Sequence, residues 1–355
     1  MEAERSLWGI EIWKSVKINL IMTTIKDVAT EAGVSVATVS RVINNEKYVS
    51  EDMREHVLKV ISEMNYQPDA VARGLRTKST HIISLVIPDI CNPYFPEVSR
   101  GVQSVADLHK YIVVLCNTDR SLKRELEFYE KLSMQKVEGI IINPSSSKKE
   151  EIDLLHDLEI PVVLISSQRA LEDFDIVMVD NKQGAALAVN HLIELGHRRI
   201  GLVGGVREVS SARQRREGFI KALKKAGLTV YQELLTEGTF DHEGGYQCMK
   251  SILSLKERPS AVFAANDIMA IGGISAIYES GLRIPEDISL IGFDDISFAK
   301  MTYPKLTTIS QPMYETGKVA TELLFQRIDN LSESLPPQKV VLSHNLVIRE
   351  TTQAV

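Results

Sequence analysis

Two sets of residues in this sequence have types and spacings that suit chemistry. The first is VSVATVSRVINN, residues 34–45, a run of short and hydroxyl-bearing side chains with a single arginine. On a helix that starts after Ser35, Val36, Ala37, Ser40 and Arg41 share one face, and Val39, Val42 and Ile43 share the other. Small side chains let a helix approach the floor of a DNA major groove, and an arginine can read a guanine edge there. The same pattern also suits one member of an ordinary three-helix bundle. The second set follows successive apolar runs later in the chain. It comprises Asn92, Tyr94 and Phe95 in DICNPYF, Ser211 and Arg215 in SSARQRREGF, and Phe240 in TFDHEGG. Asn266 in AANDIMA, Asp294 in GFDD and Gln311 in TTISQP complete it. Aromatic rings can cover apolar ligand faces, while amide, carboxylate and guanidinium groups can fix hydroxyls that would otherwise be buried unpaired. Each residue alone has a plainer reading. Asp294 beside Asp295 could cap a turn, Arg215 among Arg213 and Arg216 could lie on a solvated helix face, and Tyr94 and Phe95 could be core. Their joint placement at strand ends points to a ligand site. Cys91 and Asp119 lie near strand ends too and are equally suited to structural roles.

Elements that position these residues are visible in the pattern. Thr24 and Asp27 resemble a capping box at the start of a first helix, with Ile25, Val28, Ala29 and Ala32 as its apolar face. Gly33 ends that helix and Ser35 caps the next. A third helix is predicted from Ser50 to about Asn65, with Val57, Leu58 and Ile61 inward. These would form a helix-turn-helix domain over 22–67, and YQPDAVARGLRTKST then reads as a linker, with a hinge at 68–80. Acidic and basic residues number eight each between Met22 and Thr80, but Arg73, Arg76 and Lys78 have no acid after Asp69. That linker could touch phosphate or enter a groove. From His81 the period changes to β-branched runs separated by helical segments, the alternation of a parallel sheet covered by helices. Two such series predict two Rossmann-like subdomains with a cleft between them. The expected division is about 81–179 plus 312–335 for the first, and about 180–311 plus 336–355 for the second.

Composition bounds the rest. The chain has 355 residues, 44% hydrophobic and 25% charged, enough for a sizeable core in more than one domain. A net charge of −6 argues against a protein coated in nucleic acid without excluding a local basic surface. Cys91, Cys116 and Cys248 are too few and too widely spaced for a disulfide framework or a zinc site. No apolar run approaches the ~20 residues of a membrane span. Residues 1–21 lack the pattern of a signal peptide. They read as a poorly ordered extension or a misassigned start codon ahead of Met22, or as a short amphipathic partner helix using Leu7, Ile10, Trp13 and Ile18. A dehydrogenase is disfavoured because no G-x-G-x-x-G, P-loop, H-E-x-x-H or G-x-S-x-G occurs. A secreted solute receptor would fit the cleft but not the helical segment at 24–66.

TIKDVATEAGVSVATVSRVINN, followed by YQPDAVARGL, resembles the LacI/GalR family of bacterial transcription regulators, and the resemblance runs from Met22 to Val355. It implies a cytoplasmic homodimer that binds near-palindromic double-stranded operator DNA, with neither catalysis nor a cofactor nor a metal. Val36, Ala37 and Arg41 match the family's base-reading positions, with Ser40 and Asn44 nearby. Leu75 matches a leucine that wedges into the minor groove, on a hinge segment that also carries Arg73 and becomes helical on DNA. The remainder resembles a periplasmic sugar-binding protein. Asn92, Tyr94, Phe95, Arg215, Phe240, Asn266, Asp294 and Gln311 resemble the set that clasps a pentose or hexose in the ribose-type branch, with Ser211 beside Arg215. A repressor of a catabolic operon, controlled by a sugar or sugar phosphate, is the expectation. One departure weighs against ribose itself: sugar-binding relatives commonly carry Asp-Arg where this chain has Ser166-Ser167, although Arg169 could reach in. A purine effector and a partner-protein co-repressor are the rival readings. After Glu350 only TTQAV follows, with no heptads for a tetramerising coil, so a dimer is expected.

Overall fold

The structure is a computed structural model that describes residues 23–44, 48–66, 79–144, 149–166, 173–331 and 335–355. Arg73, Leu75, Ser167, Arg169 and the 1–21 extension lie outside the described residues. The chain forms two compact units that divide between Ser79 and Thr80.

In the first unit the capping box forms as its residues dictate. Thr24 accepts from the Asp27 backbone N–H, and the Asp27 carboxylate accepts from the Thr24 N–H at 2.8 Å, opening helix α1 (Ile25–Glu31). Gly33, at φ 63°, takes the left-handed conformation that favours glycine and turns the chain. Ser35 then caps α2 (Val36–Ile43) by accepting from the Thr38 N–H at 3.1 Å. Helix α3 (Glu51–Glu63) completes the trio, and Val28, Ala29, Ala32, Val39, Val42, Val57 and Val60 form its small core. One expectation fails: Leu58 is 47% exposed. On α3 the inward positions are Val57 and Val60, with Ile61 and Met64 partly buried, and that i, i+3, i+4, i+7 stripe leaves Leu58 beside it.

The second unit holds two six-stranded sheets. The first contains β1 (Ile82–Ile87), β2 (Ile112–Asn117), β3 (Gly139–Ile142), β4 (Val162–Ile165), β5 (Asp175–Val179) and β11 (Lys339–Leu342). Its order is β11-β5-β4-β3-β1-β2 and every pair is parallel. Helices α4 (Tyr94–His109), α5 (Leu122–Met134), α6 (Lys149–His156) and α11 (Met313–Asp329) accompany it. The second sheet contains β6 (Ile200–Gly205), β7 (Leu235–Gly238), β8 (Ala261–Ala264), β9 (Ser289–Asp294), β10 (Thr307–Ser310) and β12 (Asn345–Val347). It repeats the arrangement as β12-β10-β9-β8-β6-β7, with β12 the one antiparallel member. Its helices are α7 (Asn181–Glu194), α8 (Ser210–Lys225), α9 (His242–Leu253) and α10 (Asp267–Glu279). The inner strands such as β1, β6 and β9 are buried on both faces, which is why they read as unbroken apolar runs, while the edge strand β2 is largely exposed.

The chain crosses between subdomains three times: after Val179, after Ser310 and after Leu342. The third crossing corrects the expected boundary at 336, because β11 pairs with β5 in the first sheet. Asp175 explains the register. Its carboxylate accepts from Arg327 Nε and Nη2 and from the Gln338 N–H, all at 2.7 Å, so the approach to β11 is tied to the start of β5. Strand β7 was not anticipated; its sequence LTEG carries no β-branched run.

Candidate functional site

In the first unit, α2 presents the face read from its sequence. Val36, Ala37, Arg41 and Asn44 are exposed and Ser40 is half-buried, while Val39 and Val42 are buried against α1 and α3. Asn44 closes the helix by donating to the Ser40 carbonyl at 2.5 Å. The helix is thus fixed from its apolar side, and small polar groups plus one guanidinium are offered outward. No metal-holding group of three His, Cys, Asp or Glu exists among the described residues.

In the second unit, each sheet reverses its strand order next to its first strand, and ligand crevices form outside the carboxyl ends of strands at such points. The two carboxyl ends enclose one cavity with about 650 Å³ free of protein atoms, counting the part open to solvent. All nine residues singled out from the sequence line it. Asn92, Tyr94 and Phe95 come from the turn after β1 and the start of α4. Ser211 and Arg215 come from α8, Phe240 from beyond β7, Asn266 from the cap of α10, Asp294 from the end of β9 and Gln311 from beyond β10. Tyr94 and Phe95 serve both readings at once, since they also belong to the first subdomain's core.

The backbone is shaped for this site. Arg120, Ser166, Phe240 and Asp294 line the cavity with positive φ values of 58°, 62°, 61° and 125°. Non-glycine residues in that region are disfavoured and collect where function over-determines the local structure. Phe240 depends on Gly205, where a Cβ would stand 2.3 Å from the phenyl ring.

Electrostatics concentrate around Arg215. Its Nη1 lies 3.4 Å from Asp294 Oδ1, its Nε donates to Asn181 Oδ1 at 2.8 Å, and its Nη1 also donates to the Ala265 carbonyl. The guanidinium carbon sits 3.7 Å from the Phe293 ring centre. Asp294 accepts a further bond from Gln311 Nε2 at 2.6 Å. Burial pushes the Asp294 carboxyl up to about 6, against the pull of Arg215. Asp267, fully buried nearby, is pushed to about 7 by burial and by Asp294. It accepts from Thr308 Oγ1 at 2.5 Å and from the Ile296 N–H at 2.9 Å. Burial, with the neighbouring Asp294 carboxylate, raises the Tyr94 hydroxyl to about 12. Ser166 also lines the cavity, so the Ser166-Ser167 departure read from the sequence places a hydroxyl in its wall.

Some wall residues were missed. Arg120, Asn143 and Pro88 line the cavity after β2, β3 and β1, so they obey the strand-end rule that found the others. Arg120 follows Asp119, which had been noted, by one position.

Comparison with known proteins agrees with this architecture. Residues 24–69 match the model for bacterial regulatory proteins of the lacI family, and residues 189–352 match a periplasmic binding protein-like domain. The chain is 37% identical to the HTH-type transcriptional repressor PurR of Haemophilus influenzae, over 94% of this chain and all of that protein. The chain belongs to the LacI family. It is a DNA-binding transcriptional regulator with the family's helix-turn-helix unit and two-subdomain α/β core. It is also 38% identical to the ribose operon repressor of Halalkalibacterium halodurans, covering 94% of this chain and 98% of that one. The Lac repressor dimer bound to operator superposes with a TM-score of 0.85 at 31% identity, covering 93% and 99% of the two chains. Family members are transcriptional regulators, not enzymes. No helix among the described residues is long and apolar enough to cross a membrane.

Proposed function

We propose that this regulator represses a catabolic operon and that a small polyhydroxylated effector, a sugar or sugar phosphate, sets its operator affinity. One observation carries the reading: the buried Arg215–Asp294 pair faces the same cavity as Tyr94, Phe95 and Phe240. Among the described residues, Arg215 Nη2 and Asp294 Oδ2 have no hydrogen-bond partner, so both remain for ligand hydroxyls. The rings supply apolar cover for a pyranose or furanose face. Operator bases would be read by Val36, Ala37, Ser40, Arg41 and Asn44 as a homodimer, with Arg73 and Leu75 engaging the hinge site. Exposed Leu108, Ile112 and Val114, on α4 and the edge strand β2, support burial against a second copy.

Thermal-shift screening of the full chain with pentoses, hexoses, sugar phosphates and purines tests this. A ligand at 100 times its Kd should add about 2.7 kcal/mol of apparent stability. The same compound should change operator affinity saturably. A purine that does so alone would replace the sugar, and an operator response only to a partner protein would overturn the reading.

A further inference from the structure

We propose that Arg120 is the latch that holds the two subdomains in the orientation seen here, and that its strength sets how readily the cleft opens. The inference rests on the cleft being the effector site. Arg120 stands at the carboxyl end of the first sheet, just after β2. Its Nη2 donates to Asp89 Oδ2 at 2.8 Å within the first subdomain. Across the cleft, Nη1 donates to Asp241 Oδ2 at 3.4 Å and Nη2 to the Phe240 carbonyl at 3.2 Å. Away from the three chain crossings, these hydrogen bonds span the two subdomains.

Both ends of the contact are held firmly. Asp119 and Arg120 take successive left-handed conformations at φ 50° and 58°, and the Arg120 N–H donates to the Pro88 carbonyl at 2.9 Å. Asp119 accepts from Asn117 Nδ2 at 2.6 Å and pairs with Arg124. On the far side the Asp241 carboxylate is divided. Oδ1 accepts from the Gly244 N–H at 2.7 Å and from Thr239 Oγ1 at 2.8 Å, capping α9, which leaves Oδ2 to face Arg120. Phe240 joins the latch to the cavity, because its ring lines the site while its carbonyl receives Arg120. A ligand that moves that ring moves a latch acceptor with it.

The pair is partly solvated, with side chains 27% and 42% exposed. Its contribution should therefore be modest and salt-sensitive, which leaves the open and closed populations close enough for an effector to shift them. The plainer role is that Arg120 only ties its own loop to Asp89.

Asp241→Asn separates the two roles. Asparagine still caps α9 through its oxygen, but it no longer offers Arg120 a charge. The test uses the ligand-free full chain with Cys91→Ser, since Cys116 and Cys248 are buried. Spin labels go on Lys131→Cys in α5 and Lys250→Cys in α9, and pulsed electron resonance reads the distance between them. Asp241→Asn should raise the long-distance population about two- to five-fold at low salt, and 0.5 M salt should bring the parent towards the variant. Arg120→Gln should act in the same direction, and circular dichroism checks that each variant folds. Distributions equal to the parent's in Asp241→Asn at low salt would overturn the latch. No effector is used, so a failed sugar screen would leave this result standing, and the reverse also holds.

Discussion

Arg215 Nη1 and Asp294 Oδ1 lie 3.4 Å apart, with side chains only 6% and 5% exposed. They come from α8 and the end of β9, elements far apart in sequence that the second sheet brings to one cavity wall. Removing both charges from water is costly, so each depends on the other. Two donors and a ring stabilise the arrangement further, through Arg215 to Asn181, Gln311 to Asp294, and Arg215 over Phe293.

Asp294→Asn therefore tests the ligand role more cleanly than truncation. Asparagine can still accept from Gln311, while a charged partner for ligand hydroxyls is lost. Effector affinity should fall by about 1.5–3 kcal/mol, read by calorimetry. Arg215 loses its charged partner as well, so stability should also fall, and a thermal melt checks that the variant is folded under the titration conditions. A parental Kd would remove Asp294 from the site.

Asp267 makes stability depend on pH. Its folded pKa of about 7 lies above its ordinary 3.8. The folded chain thus holds this proton more tightly than the unfolded chain does. Its stabilising effect is complete below about pH 4 and is lost as pH rises through 7. Asp294, raised to about 6, acts in the same sense. Asp267→Asn can keep both hydrogen bonds: its oxygen accepts from the Ile296 N–H, and its amide donates to Thr308 Oγ1 once that hydroxyl rotates. The variant should be more stable than the parent at pH 8 by about 1–3 kcal/mol and nearly equal to it at pH 4, with thermal melts at both pH values as the measure. Equal melting at pH 8 would show that Asp267 is not a buried charge.

Gly205→Ala should damage the cavity without unfolding the sheet. The new methyl would meet the Phe240 ring at 2.3 Å, so the ring must leave its place. Overpacking of this kind costs about 1–3 kcal/mol. Effector affinity should fall by at least as much as stability does, with calorimetry and denaturant melts compared on one preparation. Full effector affinity would show that the ring's position is irrelevant to binding.

Much of this was legible because the physics is local. The Thr24–Asp27 box and the Ser35 cap declare themselves in four-residue windows, and buried parallel strands read as apolar runs. Asn92, Asn266 and Asp294 were found by one rule, that ligands sit beyond strand ends. The same rule also covered Arg120 and Asn143, yet after β2 it was applied to Asp119, one position short, and after β3 no aromatic or acidic residue follows directly. Placing β11 needed tertiary information. KVVL is compatible with either sheet, and the Gln338 N–H to Asp175 contact that leads β11 onto β5 joins residues 163 positions apart. Leu58 was misplaced because α3 has a narrow inward stripe set by its two small partner helices.

Arg41 is the sharpest test of the DNA-reading face. It sits in the last turn of α2, exposed, while Val39 and Val42 anchor the opposite side. Its removal should leave the small core intact, so a folding defect would not mask the result. If its guanidinium makes a bidentate contact to guanine, Arg41→Ala should cost about 1–3 kcal/mol at the cognate operator and relax preference at one base pair per half-site. Arg41→Lys should recover charge but not the fork geometry, so its affinity for non-specific DNA should match the parent's while the base preference stays relaxed. Selection from a randomised operator library reads both effects together. An unchanged selected sequence for Arg41→Ala would move base reading away from this arginine and onto the smaller residues of the same face.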